Sequence, residues 1–356
     1  MIPSRQLSAP STQPDGWHTT EFAGVELAIR GQRTAPSISA FVPIALLLAA
    51  REGGSIHVDA ALTETQLARL NCEFSPFVAD FFDGKECRIS AAAIETGAIP
   101  PGQSALMFSA GVDSFYTLQK LGSLAITPDM LLNIHAGAHD DNISTWHRRL
   151  DNIRSVAATL DIPVETVETN FHCAYPEAHV KCHTIRNIAA AISLEGISSI
   201  YYSSAYKLSE LAYDKAKKHA LAYIDPVIMR SFLPSGFEAI YVGWEADRLE
   251  KTQAICNFPL AFDHLDVCTD QAYQADRSKT EPINCGRCNK CIRTQIEIEA
   301  CGSLDRFAKV FGLDNWVRHR GKAIKTLARS TDPIDRNAVR LLHKDRTQTG
   351  FRRWFS

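Results

Sequence analysis

Two clusters of residues have the types and spacing for chemistry. The first is Phe108-Ser109-Ala110-Gly111-Val112-Asp113-Ser114-Phe115, set between the apolar run Ala105–Phe108 and a helix-like segment, Phe115–Leu121. Small residues let successive backbone N–H groups converge on an anion, and a helix after them adds its positive end. Ser109 and Ser114 offer hydroxyls, and Gly111 lets the backbone approach an anion closely. Asp113 suits phosphate only if Mg²⁺ or another positive group intervenes. The same residues also describe an ordinary strand-to-helix turn capped by Ser and Asp. Neither Gly-x4-Gly-Lys-Ser/Thr nor Gly-x-Gly-x-x-Gly occurs. That argues against P-loop phosphoryl transfer and against the usual dinucleotide binding.

The second cluster is Cys285-Gly286-Arg287-Cys288-Asn289-Lys290-Cys291, with Cys268 as the nearest fourth thiol. Four thiolates around one tetrahedral ion make a closed structural zinc site, while Cys-x2-Cys-x2-Cys is also an iron–sulfur spacing. With ten cysteines in a chain too long to need disulfide staples, this crowding reads as metal ligation or redox chemistry in a reducing compartment. A looser group, His172-Cys173, His179 and Cys182-His183, could line a polar cleft, bind a metal or be scattered structural residues. His135–Asp141 and Ser203-Ser204 come after strand-like runs, where ligands of α/β sheets are met.

The elements that must position these groups alternate. Short buried-strand patterns at Ala105–Phe108, Met130–Ile134, Val164–Val167 and Ile200–Tyr202 are separated by helical patterns at Phe115–Leu121, Thr145–Leu160 and Ile185–Leu194. That alternation predicts βαβ units and a doubly wound parallel sheet, an α/β fold. Before the Pro100-Pro101-Gly102 break, Val25–Ile29 and Ile56–Val58 read as strands and Phe41–Arg51 and Glu64–Phe82 as helices. This gives an N-terminal α+β module without a chemical motif.

Composition bounds the function classes. Of 356 residues, 45% are apolar and 22% charged, enough for a real core, and the net charge of -2 provides no global polycation. Charge is nevertheless uneven: Arg318–Ser356 holds eleven Lys or Arg against three Asp, a balance of +8. A solvated helical face, a protein docking surface or a nucleic-acid contact would each suit that tail; its aromatics are Phe351, Trp354 and Phe355. The longest apolar stretch, Phe41–Ala50, is about half of a membrane span. No secretory-type apolar run comes after Met1, so the expectation is a soluble, cytoplasmic protein.

Ser-Ala-Gly-Val-Asp-Ser (109–114) resembles the Ser-Gly-Gly-x-Asp-Ser loop of the PP-loop ATP pyrophosphatases, with Ala110 where glycine is usual. In that superfamily the loop grips the β,γ-pyrophosphate of ATP and AMP is transferred. The chain also resembles the 7-cyano-7-deazaguanine synthases, in which a single Cys and a later Cys-Gly-x-Cys-x-x-Cys-x-x-Arg supply four thiols that bind zinc. Here Cys268, Cys285, Cys288 and Cys291 match, but the arginine, Arg293, comes one place early and the first gap is longer. Arg186-Asn187 matches half of the family's Pro-Gly-Arg-Asn, placing Arg186 in a helix's first turn. Glu250-Lys251-Thr252-Gln253 stands where the family has Ser-Lys-x-Glu. The resemblance covers about Gln103 to Arg293.

Beside a flexible arm at 1–20, an N-terminal α+β module at 21–101 and a basic helical tail at 301–356, all read from composition and pattern, the resemblance implies a PP-loop ATP-binding domain at 102–265 and a four-cysteine zinc segment at 266–300. It further implies ATP and Mg²⁺ on residues 109–114, zinc on the four cysteines, and adenylation of a carboxylate or amide of 7-deazapurine type, with amine or ammonia attack as the second step. Asp113, Arg186 and Lys251 would be the catalytic groups, with Arg186 orienting the acid and Lys251 neutralising charge. Relatives of this kind are associated with 7-deazapurine modification and antiphage defence. The expected partners are the small acid or amide, an amine donor, a protein or nucleic-acid acceptor and a second copy as homodimer, but no membrane. The alternatives are an ATP-dependent sulfur transferase acting on RNA, with persulfide or iron–sulfur cysteines, and a non-catalytic nucleotide-binding scaffold.

Overall fold

A computed structural model describes residues 4–96, 102–138, 142–214, 220–278, 280–330 and 333–348, the last stretch with side chains at 334–341. His139, Asp140 and Asp141, the Pro100-Pro101 break, and Phe351, Trp354 and Phe355 lie outside the described residues.

Eleven strands join one sheet. They are β1 (Ser4–Leu7), β2 (Ser11–Thr12), β3 (His18–Phe22), β4 (Val25–Gly31), β5 (Gly54–Thr63), β6 (Cys87–Glu95), β7 (Gln103–Met107), β8 (Met130–His135), β9 (Val164–Thr169), β10 (Ile197–Ser203) and β11 (Glu238–Val242). Their spatial order is β11-β10-β7-β8-β9-β4-β3-β1-β5-β6, with β2 attached to β3. The five strands β11 to β9 are all parallel. The antiparallel pair β9–β4 continues the sheet into the N-terminal strands, and β1, β5 and β6 are again parallel. The chain is thus α/β with a large, mostly parallel sheet.

The helices are α1 (Ile38–Ala49), α2 (Glu64–Arg69), α3 (Ser75–Phe81), α4 (Val112–Ser123), α5 (Ile143–Leu160), α6 (Phe171–Ala174), α7 (His179–Ile192), α8 (Asp225–Ile228), α9 (Arg248–Ile255), α10 (Pro259–His264), α11 (Gln271–Asp276), α12 (Asn289–Ala300), α13 (Leu313–Leu327) and α14 (Pro333–Gln348). Alternation along the strands divides the interior between the two faces. Leu106 and Leu131 face a core shared with Phe115 and Leu118 of α4 and Ile153 and Val156 of α5. Ala105, Met130 and Leu132 face the opposite core, with α1 and with Ile185 and Ile188 of α7. A third small core, Ile292, Ile296, Trp316, Leu327, Ala338 and Val339, binds α12, α13 and α14 together.

In the parallel part, chain order β7, β8, β9 runs one way from β7, and β10, β11 runs the other. The order reverses between β7 and β10, which makes the carboxyl end of β7 the crevice where such sheets bind ligands.

Residues 4–20 correct the expectation of a loose arm. Leu7 is buried, and β1 lies between β3 and β5, pairing Ser4–Leu7 with Ser55–Val58. Pairing with distant strands, not local pattern, orders this polar stretch. Glu64–Phe82, expected as one helix, is α2 and α3 joined by a π-helical turn at Leu70–Phe74. Helix α7 starts at His179, six residues before the expected Ile185. Among the described residues no helix is long and apolar enough to cross a membrane.

Candidate functional site

Strand β7 ends at Met107, and the chain turns through Phe108–Gly111 into α4. The ring of Phe108 packs edge-on against Phe115, 5.1 Å between centroids, which pins the loop to its own helix. The neighbouring strand buttresses it from below. Asn133 Nδ2 donates to the Phe108 carbonyl (2.7 Å), and Trp146 Nε1 donates to Asn133 Oδ1 (2.7 Å).

Ala110 has φ +57°, in the left-handed region, and is buried. A left-handed alanine costs about 1–2 kcal/mol, and the carbonyl it presents accepts from Asp266 N at 2.8 Å. Gly111 is the N-cap of α4 and supplies no side-chain cap. Ser114 Oγ donates to Gly111 O (3.0 Å), with Ser109 Oγ 3.5 Å away. The hydroxyls therefore close the turn without capping the helix, and the first amides of a twelve-residue helix face the crevice with its positive end.

Helix α9 aims two cations at this loop. It starts with a reciprocal cap: Asp247 accepts from Glu250 N (2.9 Å), and Glu250 accepts from Asp247 N (2.7 Å). This places Arg248 at the first helical position and Lys251 nearly a turn later. Arg248 Nη1 lies 3.1 Å from Asp113 Oδ2, and its Nε 3.4 Å from Glu297 Oε2 of α12. Lys251, fully buried, donates to Ser204 O (2.6 Å) and Ser204 Oγ (2.7 Å) at the end of β10, and lies 3.7 Å from Asp113 Oδ1. Thr252 Oγ1 completes the set by donating to Glu297 Oε2 at 2.9 Å. Burial lowers the pKa of Lys251, with Asp113 acting against it. Burial pulls Arg248 the same way, but the Asp113 and Glu297 carboxylates outweigh it and hold its pKa up. Burial raises that of Glu297.

The cysteines converge next door. Cys268, Cys285, Cys288 and Cys291 bring four sulfurs within 4.8 Å of one another, with Cys285 and Cys291 3.8 Å apart. A tetrahedron of thiolates about 2.3 Å from a central ion has edges of about 3.8 Å, so the set is compatible with a metal ion such as zinc. Gly286, at φ +69°, makes the turn between the ligands, and the amides of Arg287 and Cys288 donate to Cys285 Sγ at 3.4 and 3.3 Å. Two routes tie this cluster to the loop. One is the segment Asp266–Cys268, where Asp266 N meets the Ala110 carbonyl. The other is α12, which carries both Cys291 and Glu297.

The structure thus brings Ser109–Ser114, Asp113 and Lys251 together and the four cysteines beside them. Arg186 is a correction. It sits mid-helix in α7, 1% exposed, with Nη2 donating to the Tyr175 and Glu177 carbonyls at 2.5 and 3.0 Å. Its guanidinium fastens α7 to the 175–177 turn instead of facing a ligand from a first turn. The His/Cys-rich stretch brings His179 and His183 together, 5.3 Å between ring centroids, but Cys182 is buried, its thiol pushed up to about 12 by burial, and the only group of three or more metal-type ligands among the described residues is the four cysteines. Sequence reasoning misses Arg248 and Glu297. For Arg248 a signal exists, since Asp247-x-x-Glu250 is a helix-start pattern that fixes the residues inside it. Glu297 carries no such signal.

No protein-family model, no curated protein and no solved structure matches the chain.

Proposed function

We propose that the chain is an ATP-dependent adenylating enzyme of the PP-loop type. In this reading ATP and Mg²⁺ sit on residues 109–114, and an oxygen of a carboxylate or amide, of 7-deazapurine type, attacks the α-phosphorus. The bond to pyrophosphate breaks, and an amine or ammonia then displaces AMP. The observation that carries the reading is the position of the loop: an uncapped helix start at the switch point of a parallel sheet, facing the buried Lys251 and the half-buried Arg248.

The residues suit a metal–triphosphate. Mg²⁺ commonly takes one or two carboxylates plus phosphate oxygens, and Asp113 is a carboxylate at the loop, held by Arg248 and Lys251. Triphosphate charge drawing those two cations would release Asp113 to the metal. The loop amides would hold the departing pyrophosphate, while Lys251 and Arg248 offset the charge that grows as the bond breaks. Zinc is the ion proposed for the cysteines. Sulfurs within 4.8 Å leave room for one ion, not for a cluster in which four irons each take one thiol.

The test is to incubate the protein with α-labelled ATP, Mg²⁺ and candidate 7-deazapurine acids with ammonium, and to monitor AMP and pyrophosphate. Release of both, dependent on the acid, is expected. Nucleotide binding without release would favour a scaffold. Iron with labile sulfide, in place of one zinc per chain, would favour sulfur transfer.

A further inference from the structure

The outer face of α13 carries a line of cations that the adenylation site does not use. Arg318, Lys322 and Lys325 fall at i, i+4 and i+7 of the helix, and Arg329 continues the series at i+11 in the turn after its end. At 100° per residue the four lie within an arc of about 60°, over a length of about 17 Å. All four are exposed. The opposite face holds Trp316 and Leu327, buried against α12, and Arg320, paired with Glu299 at 2.9 Å. The helix is therefore fixed by one side and offers the other.

Among the described residues none of the four forms an ion pair, and Arg318 Nε donates only to the backbone carbonyl of Asp314 (3.2 Å). Asp314, in the first turn, and Glu281 line one cavity with Arg318, at the N-terminal end of the line only. Surfaces of ordinary domains intersperse the two signs. Here Arg318–Ser356 carries +8 while the whole chain carries -2, so the remaining 317 residues sum to -10. Charge is thus segregated along the sequence, and the exposed face of α13 and the turn after it carry four of the eleven cations of that stretch.

We infer that α13 binds the phosphate backbone of a nucleic acid through Arg318, Lys322, Lys325 and Arg329. Successive cations rise about 4.5–6 Å along the axis, a repeat suited to a chain of regularly spaced anions and not to one compact ligand. An anionic membrane is the lesser fit, because a helix lying on lipid needs an apolar face toward it. The apolar residues of α13 point into the protein, apart from Val317, which is 78% exposed. The stripe does not depend on whether Asp113 serves nucleotide chemistry.

The test uses the full chain and fluorescein-labelled 20-nucleotide single strands and duplexes of mixed sequence, read by anisotropy from 50 to 200 mM salt. Four backbone contacts predict that log K falls against log salt with a slope of about -3 on single strands, a loss of roughly 50-fold over that range. The quadruple variant Arg318→Gln, Lys322→Gln, Lys325→Gln, Arg329→Gln should keep its Tm and metal content, lose most affinity at 50 mM salt and flatten the slope by about 3. Wild-type protein that fails to bind either probe at 50 mM salt overturns the inference, as does a quadruple variant with unchanged affinity and slope. Capture by phosphatidylserine vesicles without oligonucleotide binding overturns it as well.

Discussion

Two sets of cations sit on either side of α12, and they are built in opposite ways. Arg248 and Lys251 are enclosed and matched: each faces Asp113, Arg248 also faces Glu297, and Lys251 is held by Ser204. Arg318, Lys322, Lys325 and Arg329 are exposed and form no ion pair among the described residues. A buried charge must be compensated or it destabilises the fold, so a cation kept at an interior crevice arrives with its own acids and is fixed in place by them. An exposed cation needs no such partner, because water and salt compensate it. The first arrangement presents charge at one point, as a small anion with defined geometry requires. The second presents charge along a line. Helix α12 connects them, with Glu297 turned to Arg248 and Glu299 turned to Arg320 of α13.

The widest separation of the two sets should come from Asp113→Ala. Pyrophosphate release is expected to fall about 10²- to 10³-fold, the order of loss seen when one preorganised electrostatic group is removed from a site. The fold should persist, because Lys251 keeps Ser204 and Arg248 keeps Glu297, and oligonucleotide binding should not change. Full turnover in this variant would remove the loop from the chemistry.

Loss of the metal should instead collapse the distinction. Cys291 lies in the first turn of α12 and is completely buried. Cys291→Ser, or chelation, should release the metal and lower the Tm by about 10 °C or more, since ligand-bound metal is folding free energy. Both activities should decline together, because one helix positions both sets. A variant that loses metal yet keeps its Tm would show that α12 is held by packing alone.

Salt should separate the two sets again by a smaller margin. Between 50 and 200 mM, oligonucleotide affinity should drop roughly 50-fold while the KM for ATP moves by less than about fivefold, because enclosed pairs are screened less than exposed ones. Equal salt responses would mean that the crevice is as open to solvent as α13.

How far the sequence leads depends on whether a feature is written locally. The loop at 109–114 and the knuckle at 285–291 are contiguous, and the small residues and thiols that build them are visible in single short windows. The alternating strands and helices from Ala105 to Tyr202 are legible for the same reason: β7 and β8 carry short continuous apolar runs, and β9, Val-Glu-Thr-Val-Glu-Thr, alternates. The N-terminal strands are not. β1 is Ser-Arg-Gln-Leu and β2 is Ser-Thr, with no periodicity of their own, and their order comes from partners elsewhere in the chain, dozens of residues away for β1. Arg186 misleads because local context cannot distinguish a guanidinium waiting for a ligand from one consumed by two backbone carbonyls. Glu297 is invisible for the converse reason. It lies six residues beyond the last cysteine of the knuckle and becomes part of the site only because α12 turns it toward α9.

Burial of Lys251 leaves a signature in pH. Its pKa is depressed, chiefly by burial, so below that value the folded protein carries an enclosed ammonium that the unfolded chain hydrates freely. As pH rises through the lowered value toward the ordinary value of about 10.4, the folded state sheds this proton before the unfolded state does. Wild type should then gain stability relative to Lys251→Met, by up to about 1.4 kcal/mol for each pH unit of that window. Denaturant midpoints of the two proteins from about pH 7 to about pH 10.5 measure the difference. A gap that moves the other way would mean that attraction to Asp113 exceeds the penalty of enclosure.

The smallest effect should come from Ala110→Gly, where three modest terms nearly cancel. Relief of the left-handed alanine at φ +57° contributes about 1–2 kcal/mol in favour of glycine. Against it stand about 0.4–1 kcal/mol of added freedom in the unfolded chain and about 0.8 kcal/mol for the buried methyl group. The Tm should therefore shift by no more than about 3 °C, in a direction set by how tightly the methyl packs. The KM for ATP is the more telling readout. Ala110 turns its carbonyl to Asp266 and its methyl to the core shared with Phe108 and Val112, so the methyl does not enter the crevice and KM should stay within about threefold. A KM that fell about tenfold or more would mean that the methyl restrains the loop when phosphate binds, and that the matched cations alone do not set how well the crevice holds its anion.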